Sequence, residues 1–302
     1  MCISDFLRRS FAVCFTLATL SSCQAVQNVD SSFSSASPLP DSSPALREPQ
    51  ISAPDPVESD PAEIEPDPAE IELDPAFWDV TDVDISYIDK NKKLLAFSFD
   101  DAPKRTLENI LSVFASYNQT AQGCKATATL FCNGVHINAS SKQLLSAAYA
   151  LGFELGNHSY THADLTKLSP FDLEWEMDAT DALLYQIDGK NRHLLRAPFG
   201  KINEAVRSYA HTPIIDWTID TLDWTGVTEE EIYQTVWTQK FSGAIVLMHD
   251  GYPNTVNALK RLLPDLNNAG WQVVSVSAMA KAHECPLRRG GVYIRARKNG
   301  AL

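Results

Sequence analysis

Seven short apolar runs recur from Lys92 onward, and a helical stretch separates most of them from the next. The runs are "KLLAFSF", "ATATLF", "FELGN", "HLLRAP", "PIIDWTI", "GAIVLM" and "WQVVSVS". Helix candidates between them include "TLENILSVFASY", "KQLLSAAYALG", "PFDLEWEMDATDALLYQI", "INEAVRSYA", "TEEEIYQTVWTQ" and "TVNALKRLLPDLNNAG". Strands joined by helical crossovers pair in parallel, because a tight turn cannot return the chain in the same direction. The pattern predicts an α/β fold whose sheet closes into a barrel. In such barrels reactive side chains sit where the strands end and the following loops begin. Polar residues capable of chemistry are therefore expected directly after the apolar runs.

Five runs meet that expectation. Asp100 and Asp101 follow "LLAFSF", and His158 and His162 follow "FELGN". Arg196 follows "HLL", Asp220 and Asp223 follow "PIIDWTI", and His249 and Asp250 follow "GAIVLM". Taken alone, the spacing of the two histidines has two readings: metal ligands on one face of a helix, or ordinary polar residues. The other strand ends decide between them. One carboxylate with two imidazoles is a common three-ligand set for a catalytic divalent ion. A second carboxylate can take a proton from water, a further histidine can protonate a leaving group, and an arginine can orient the base. The chain lacks a G-x-S-x-G nucleophile elbow and a Walker-type phosphate loop. Asp220 reads as a turn cap, Trp217 as packing, Asp250 as a cap on its following loop, and His136, His193, His211 and His283 as surface or packing residues.

The N-terminal part has a different character. Arg8 and Arg9 precede the apolar "FAVCFTLATL", which is too short to span a bilayer, and "LSSC" ends at Cys23. This resembles a lipoprotein signal, with residues 1–23 as the signal peptide and Cys23 as the lipidation site. Residues 24–85 read as a Ser/Pro/acidic disordered linker containing the repeat "DPAEIEP", "DPAEIEL". Proline in each unit argues against a helix, so an extended tether is expected. Gln24 to Asp89 carries sixteen acidic residues and one basic residue, against a net charge of -13 for the whole chain. The rest is close to neutral, which argues against nucleic acid as a partner. Of six cysteines, only Cys124, Cys132 and Cys285 lie beyond Cys23. The sequence does not decide whether Cys124 and Cys132 pair.

The stretches "SFDDAP", "HSYTH", "RAPFG", "DTLDW" and "IVLMHD" stand in the order and approximate spacing of five motifs. They resemble those of the polysaccharide deacetylases, carbohydrate esterase family 4, over about Lys92 to Ala282. The resemblance implies a distorted (β/α)7 barrel for residues 86–302. It implies Asp101, His158 and His162 as metal ligands, Asp100 as general base with Arg196 as its partner, and His249 as general acid with Asp223 as its orienting carboxylate. Trp224 and Leu247 correspond to apolar walls around the acetyl methyl, and the Phe199 N–H to an oxyanion donor. The implied cofactor is one divalent ion, Zn2+ first, with Co2+, Mn2+ or Ni2+ also accepted by such ligands. Four positions depart from the usual pattern: Ser98 for Thr, Ala102 for Gly, Ala197 for Pro and Phe199 for Tyr. None removes a ligand or proton carrier. The expected function is removal of N-acetyl groups from a GlcNAc-containing polysaccharide, peptidoglycan or chitin oligosaccharide. O-deacetylation of xylan on the same fold, or a silent carbohydrate-binding lipoprotein, are the alternatives. A monomer anchored by lipid in the cell envelope is expected, in an outer membrane if one is present.

Overall fold

In the computed structural model, which describes residues 77–121 and 124–297, the first apolar run becomes the longest strand, β1 (Lys93–Ala102). There follow α1 (Leu107–Thr120), β2 (Thr129–Cys132), α2 (Ala139–Ala150), β3 (Glu154–Asn157), α3 (Pro170–Asp188) and α4 (Glu204–Tyr209). The remainder is β4 (Ile214–Ile215), β5 (Ile219–Asp220), α5 (Glu229–Gln239), β6 (Ile245–His249), α6 (Pro253–Asn268), β7 (Trp271–Val274), α7 (Val276–Ala282) and β8 (Val292–Tyr293). The strands pair in parallel in the order β3-β2-β1-β6-β5, with β7 beside the first half of β1 and β4 beside β8. Leu195 bridges Asn157 to Ile214, joining the edge of β3 to β4 and carrying the sheet round into a barrel.

Helix boundaries follow local chemistry. Ser169 caps α3 by accepting the Asp172 N–H, Pro170 opens it where no donor is needed, and Gly189 ends it at φ 75°. Thr228 and Glu231 form a capping box on α5, as Asn138 and Ser141 do on α2. The two faces of β1 divide the core. Leu95, Phe97 and Phe99 pack outward under α1 and α6, whereas Leu94 and Ala96 pack inward with Phe131, Ile245 and Val274.

The folded chain departs from the expected pattern at four places. "HLLRAP" contributes only the bridging residue Leu195, because Pro198 turns the chain immediately afterwards. "PIIDWTI" is split into β4 and β5, since the carbonyls of Ile215 and Asp216 accept hydrogen bonds from Arg196 instead of a neighbouring strand. "WQVVSVS" ends as a strand at Val274, where Ser275 caps α7 by accepting the Ala278 N–H. The linker does not run to residue 85. Trp78, Val83 and Ile85 pack on the inner core cluster, and Trp78 N donates to the Leu287 carbonyl at 2.8 Å. Cys124, Cys132 and Cys285 are buried free thiols. The signal segment, Cys23 and the repeats lie outside the described residues.

Candidate active site

Strand register alone brings the base and acid candidates together. In the β1–β6 ladder Ser98 faces Leu247 and Asp100 faces His249. The two-residue period turns all four side chains to the same side of the sheet. Asp101, one residue on, leaves the regular strand with φ 66°. This positive φ sits on the aspartate, not on Ala102, so the Gly-to-Ala departure costs no strain at its own position.

The histidine pair is not helical. Residues 158–164 form a loop with Ser159 at φ 62° and His162 at φ 63°, and the two imidazole centroids lie 5.0 Å apart. Buried polar groups hold the loop in that shape. Asn157 Oδ1 accepts the Ser159 N–H at 2.9 Å, and Asn133 Nδ2 donates to the His158 carbonyl at 2.6 Å. Glu176 accepts the N–H groups of Tyr160 and Thr161 at 2.7 and 2.8 Å. Asn157, Asn133 and Glu176 are supports of this loop that the sequence did not single out. Their neighbours are close only in the folded chain.

Asp101, His158 and His162 each offer one ligand atom within 4.8 Å of the others, and no other such cluster occurs among the described residues. The donors are in forms that suit a cation. His158 Nδ1 donates to the Arg196 carbonyl at 2.7 Å, which leaves the Nε2 lone pair for a metal. Burial, then the neighbouring His158, hold the His162 pKa below its ordinary value. Burial works to raise the Asp101 carboxyl, but the neighbouring His158 and the hydrogen bond and charge of Lys104 outweigh it and leave it below the ordinary range. Lys104 Nζ lies 3.0 Å from Asp101 Oδ2. These residues fit one divalent ion.

Beside the cluster, Asp100 is 3% exposed and its partner Arg196 is wholly buried. Arg196 Nη1 donates to Asp100 Oδ1 at 2.7 Å and to Ser98 Oγ at 2.8 Å. Nε and Nη2 donate to the Ile215 and Asp216 carbonyls, and the guanidinium lies 4.1 Å from the Phe131 ring centroid. This leaves Asp100 Oδ2 facing the cluster, 3.6 Å from His158 Nε2. Across the ladder, His249 Nδ1 donates to Asp223 Oδ1 at 2.7 Å, and its backbone N–H donates to Asp223 Oδ2 at 2.8 Å. Thr255 Oγ1 donates to the same carboxylate at 2.6 Å. Burial disfavours the charged imidazole, but the Asp223 hydrogen bond and the charges of Asp100, Asp223 and Asp101 prevail, so the His249 pKa is raised.

The other expected residues fall around this centre. Phe199 sits at φ 62° with its ring 4.6 Å from His162, and its N–H has no hydrogen bond among the described residues. Trp224 is 54% exposed at the rim, and Leu247 is buried in the wall. Asp220 Oδ1 accepts the Leu222 N–H, as a turn cap does, and Trp217 packs on the inner core. His193 is buried between Asp181 and Asp188. Asp250 differs from expectation. It accepts from Lys104 N, Thr106 N and Thr106 Oγ1, and so fastens the loop after β1 rather than its own. Asp216 was not anticipated. One of its oxygens is buried without a partner, and burial, relieved in part by Arg196, raises its pKa to about 6.

A profile of the family described as Polysaccharide deacetylase matches residues 87–212. The chain is 31% identical over 193 residues to the peptidoglycan-N-acetylmuramic acid deacetylase PdaC of Bacillus subtilis, covering 64% of this chain and 40% of that protein. It therefore spans less than half the length of that relative. A peptidoglycan-N-acetylglucosamine deacetylase of Bacillus cereus is 32% identical over 204 residues, covering 64% of this chain and 91% of its own. The solved structure of PdaC from Bacillus subtilis superposes with a TM-score of 0.60 at 30% identity, over 65% of this chain and 94% of that one. With the five motifs converging on one barrel mouth, these likenesses establish that the chain belongs to the polysaccharide deacetylase family.

Proposed function

We propose that this protein is a metal-dependent hydrolase that removes N-acetyl groups from a GlcNAc-containing polysaccharide and releases acetate, with peptidoglycan as its polymer. The observation that carries this reading is the pairing of two proton carriers across one ladder step, Asp100 with Arg196 and His249 with Asp223, beside the Asp101–His158–His162 cluster. An amide is hard to cleave because its nitrogen leaves poorly, so the reaction needs a base for water and an acid for nitrogen. Asp100, aligned by Arg196, takes the proton of the attacking water at Oδ2. The Phe199 N–H donates to the oxygen that gains charge, a contribution of roughly 3–4 kcal/mol for one such donor. His249 passes the Nε2 proton to the departing nitrogen while Asp223 holds Nδ1. Asp101, His158 and His162 would hold the cation, which when bound would supply Lewis acidity to the hydrolysis. Zn2+ is the proposed ion.

The same proposal places the enzyme in the cell envelope, lipid-anchored at Cys23 and acting as a monomer, with the acidic linker giving reach. The cysteine after two small residues and the Pro-bearing repeats support it. The test is acetate release by the purified zinc-loaded protein from peptidoglycan, chitooligosaccharides and acetylated xylan in parallel. Release from xylan alone would overturn the N-acetyl assignment. Mass labelling of Cys23 by lipid in the host cell tests the anchor, and an unmodified Cys23 would refute it.

A further inference from the structure

On the same face of the barrel as His249 lies a recess of about 410 Å³ lined by Lys104, Arg105, His136, Asp250 and Tyr252. The loops after β1, β2 and β6 form it. Tyr252 lines it with its ring 6.1 Å from that of His249. Lys104 reaches from the recess to the ligand Asp101. The charges are unevenly matched. Asp250 is wholly buried, with its oxygens taken by Thr106 and by the backbone of Lys104. Lys104 is paired with Asp101. Arg105 is different. Its Nε donates to the Gly251 carbonyl at 2.8 Å, which fixes the plane of the guanidinium. Its two terminal nitrogens meet no carboxylate and make no hydrogen bond among the described residues. The His136 imidazole, on the next loop, likewise has no side-chain partner among them. A planar cation fixed at one edge and open at the other is suited to receive a two-oxygen anion.

Resting on the deacetylase reading, we propose that this recess recognises a carboxylate on the glycan, carried by the sugar being deacetylated or by its neighbour. Arg105 receives it through its terminal nitrogens, with His136 as the second donor. The substrate class is then an acidic glycan. A lactyl ether, a peptide stem and a uronic acid all offer the same group, whereas chitin and neutral acetylated xylan offer none. Arg105 and His136 act as specificity-determining residues and take no part in the proton transfers of Asp100 and His249.

The experiment compares four glycans of equal length on the zinc-loaded protein: one with a free lactyl carboxylate, one with a peptide-substituted lactate, one with a uronate and one neutral. Acetate release gives kcat/KM, and calorimetry gives binding. The acidic glycans are expected to be preferred over the neutral one by about tenfold, equivalent to roughly 1.4 kcal/mol, and the preference should shrink as salt is raised. Which acidic arm leads identifies the source of the carboxylate. Arg105→Gln should bring the acidic-to-neutral ratio close to one, His136→Gln should lower it, and Arg105→Lys should retain part of it. Because each ratio is taken on a single preparation, partial unfolding cancels. Equal kcat/KM and equal binding for acidic and neutral glycans, or a ratio that Arg105→Gln leaves alone, would overturn the proposal. Preferential binding of acidic glycans that Arg105→Gln abolishes, without acetate release from any, would keep the recess and refute the deacetylase reading.

Discussion

Replacing Asp223 by Asn separates proton delivery from the rest of the reaction. The wild-type carboxylate is 1% exposed and accepts three hydrogen bonds, two from His249 and one from Thr255. Asparagine keeps the volume but has only one accepting atom, and its NH2 group meets His249 either at Nδ1 or at the backbone N–H. In either arrangement the imidazolium loses its charge-assisted partner. That hydrogen bond is the largest influence holding the His249 pKa up against burial. A group whose pKa is raised is protonated below that value and loses its proton as pH rises through it. The alkaline limb of the activity profile should therefore move to lower pH in the variant. A positioned general acid is worth about 10²–10⁴ in rate, or roughly 3–5 kcal/mol, and kcat on an N-acetyl glycan should fall by that factor. Nitrophenyl acetate provides the control, because its leaving group departs without a proton, and its hydrolysis should fall by less than about tenfold. Assays of both substrates across pH on the zinc-loaded variant measure this. Equal losses on both substrates, with an unmoved alkaline limb, would refute the role given to the His249–Asp223 pair.

Three further outcomes are expected. Asp100→Asn should reduce acetate release by at least about 10²-fold while leaving zinc stoichiometry at one per chain, measured by metal analysis; near-normal turnover would remove Asp100 as the base. Chelation should abolish activity, and restoring Zn2+ at a hundred times its Kd should raise unfolding stability by about 2.7 kcal/mol, whereas a His158→Ala protein should show no such gain. Asp216→Asn should stabilise the fold by about 1–2 kcal/mol at pH 8, a figure lowered for partial exposure. The cost of charging Asp216 applies above its raised pKa of about 6 and vanishes below its ordinary value of 3.8. The two denaturation curves should therefore converge in acid, and a constant offset would discount the carboxyl as its cause.

The parallel barrel was legible because its strands are buried on both sides and read as continuous apolar runs, as "LLAFSF" and "GAIVLM" do. The residues that gather at the barrel mouth were legible for a related reason: each lies within a few residues of a run's end. What was hidden depends on contacts between distant segments. Nothing in "PIIDWTI" signals that a guanidinium will take two of its carbonyls and divide it. The serines of "SVS" alternate as in a strand, but Ser275 gains a capping bond that ends the strand. Asp250 looked local because it follows His249, yet its partners are about 145 residues earlier in the chain. The role of Glu176, in the middle of a helix, became evident only once the N–H groups of Tyr160 and Thr161 were placed before it.

The strained residues show how the site is held. Among the described residues six non-glycines have positive φ, and five of them, Asp101, Ser159, His162, Phe199 and Leu222, lie at strand ends or on loops around the site. Each conformation costs of order 1–3 kcal/mol and persists only where surrounding contacts over-determine it. Arg196 ties together the segments beside them. Its side chain aligns Asp100 and takes the carbonyls of Ile215 and Asp216, while its own carbonyl sets the tautomer of His158 and its N–H donates to the Asn157 carbonyl. Asp100, His158 and the break between β4 and β5 thus share one fully buried cation. An exposed arginine could not hold these groups so, because water would satisfy the same donors in many geometries. In the dry barrel wall an unmet donor costs about 1–3 kcal/mol, so Arg196 has few arrangements open to it, and the one it adopts places Asp100 Oδ2 toward the Asp101–His158–His162 cluster.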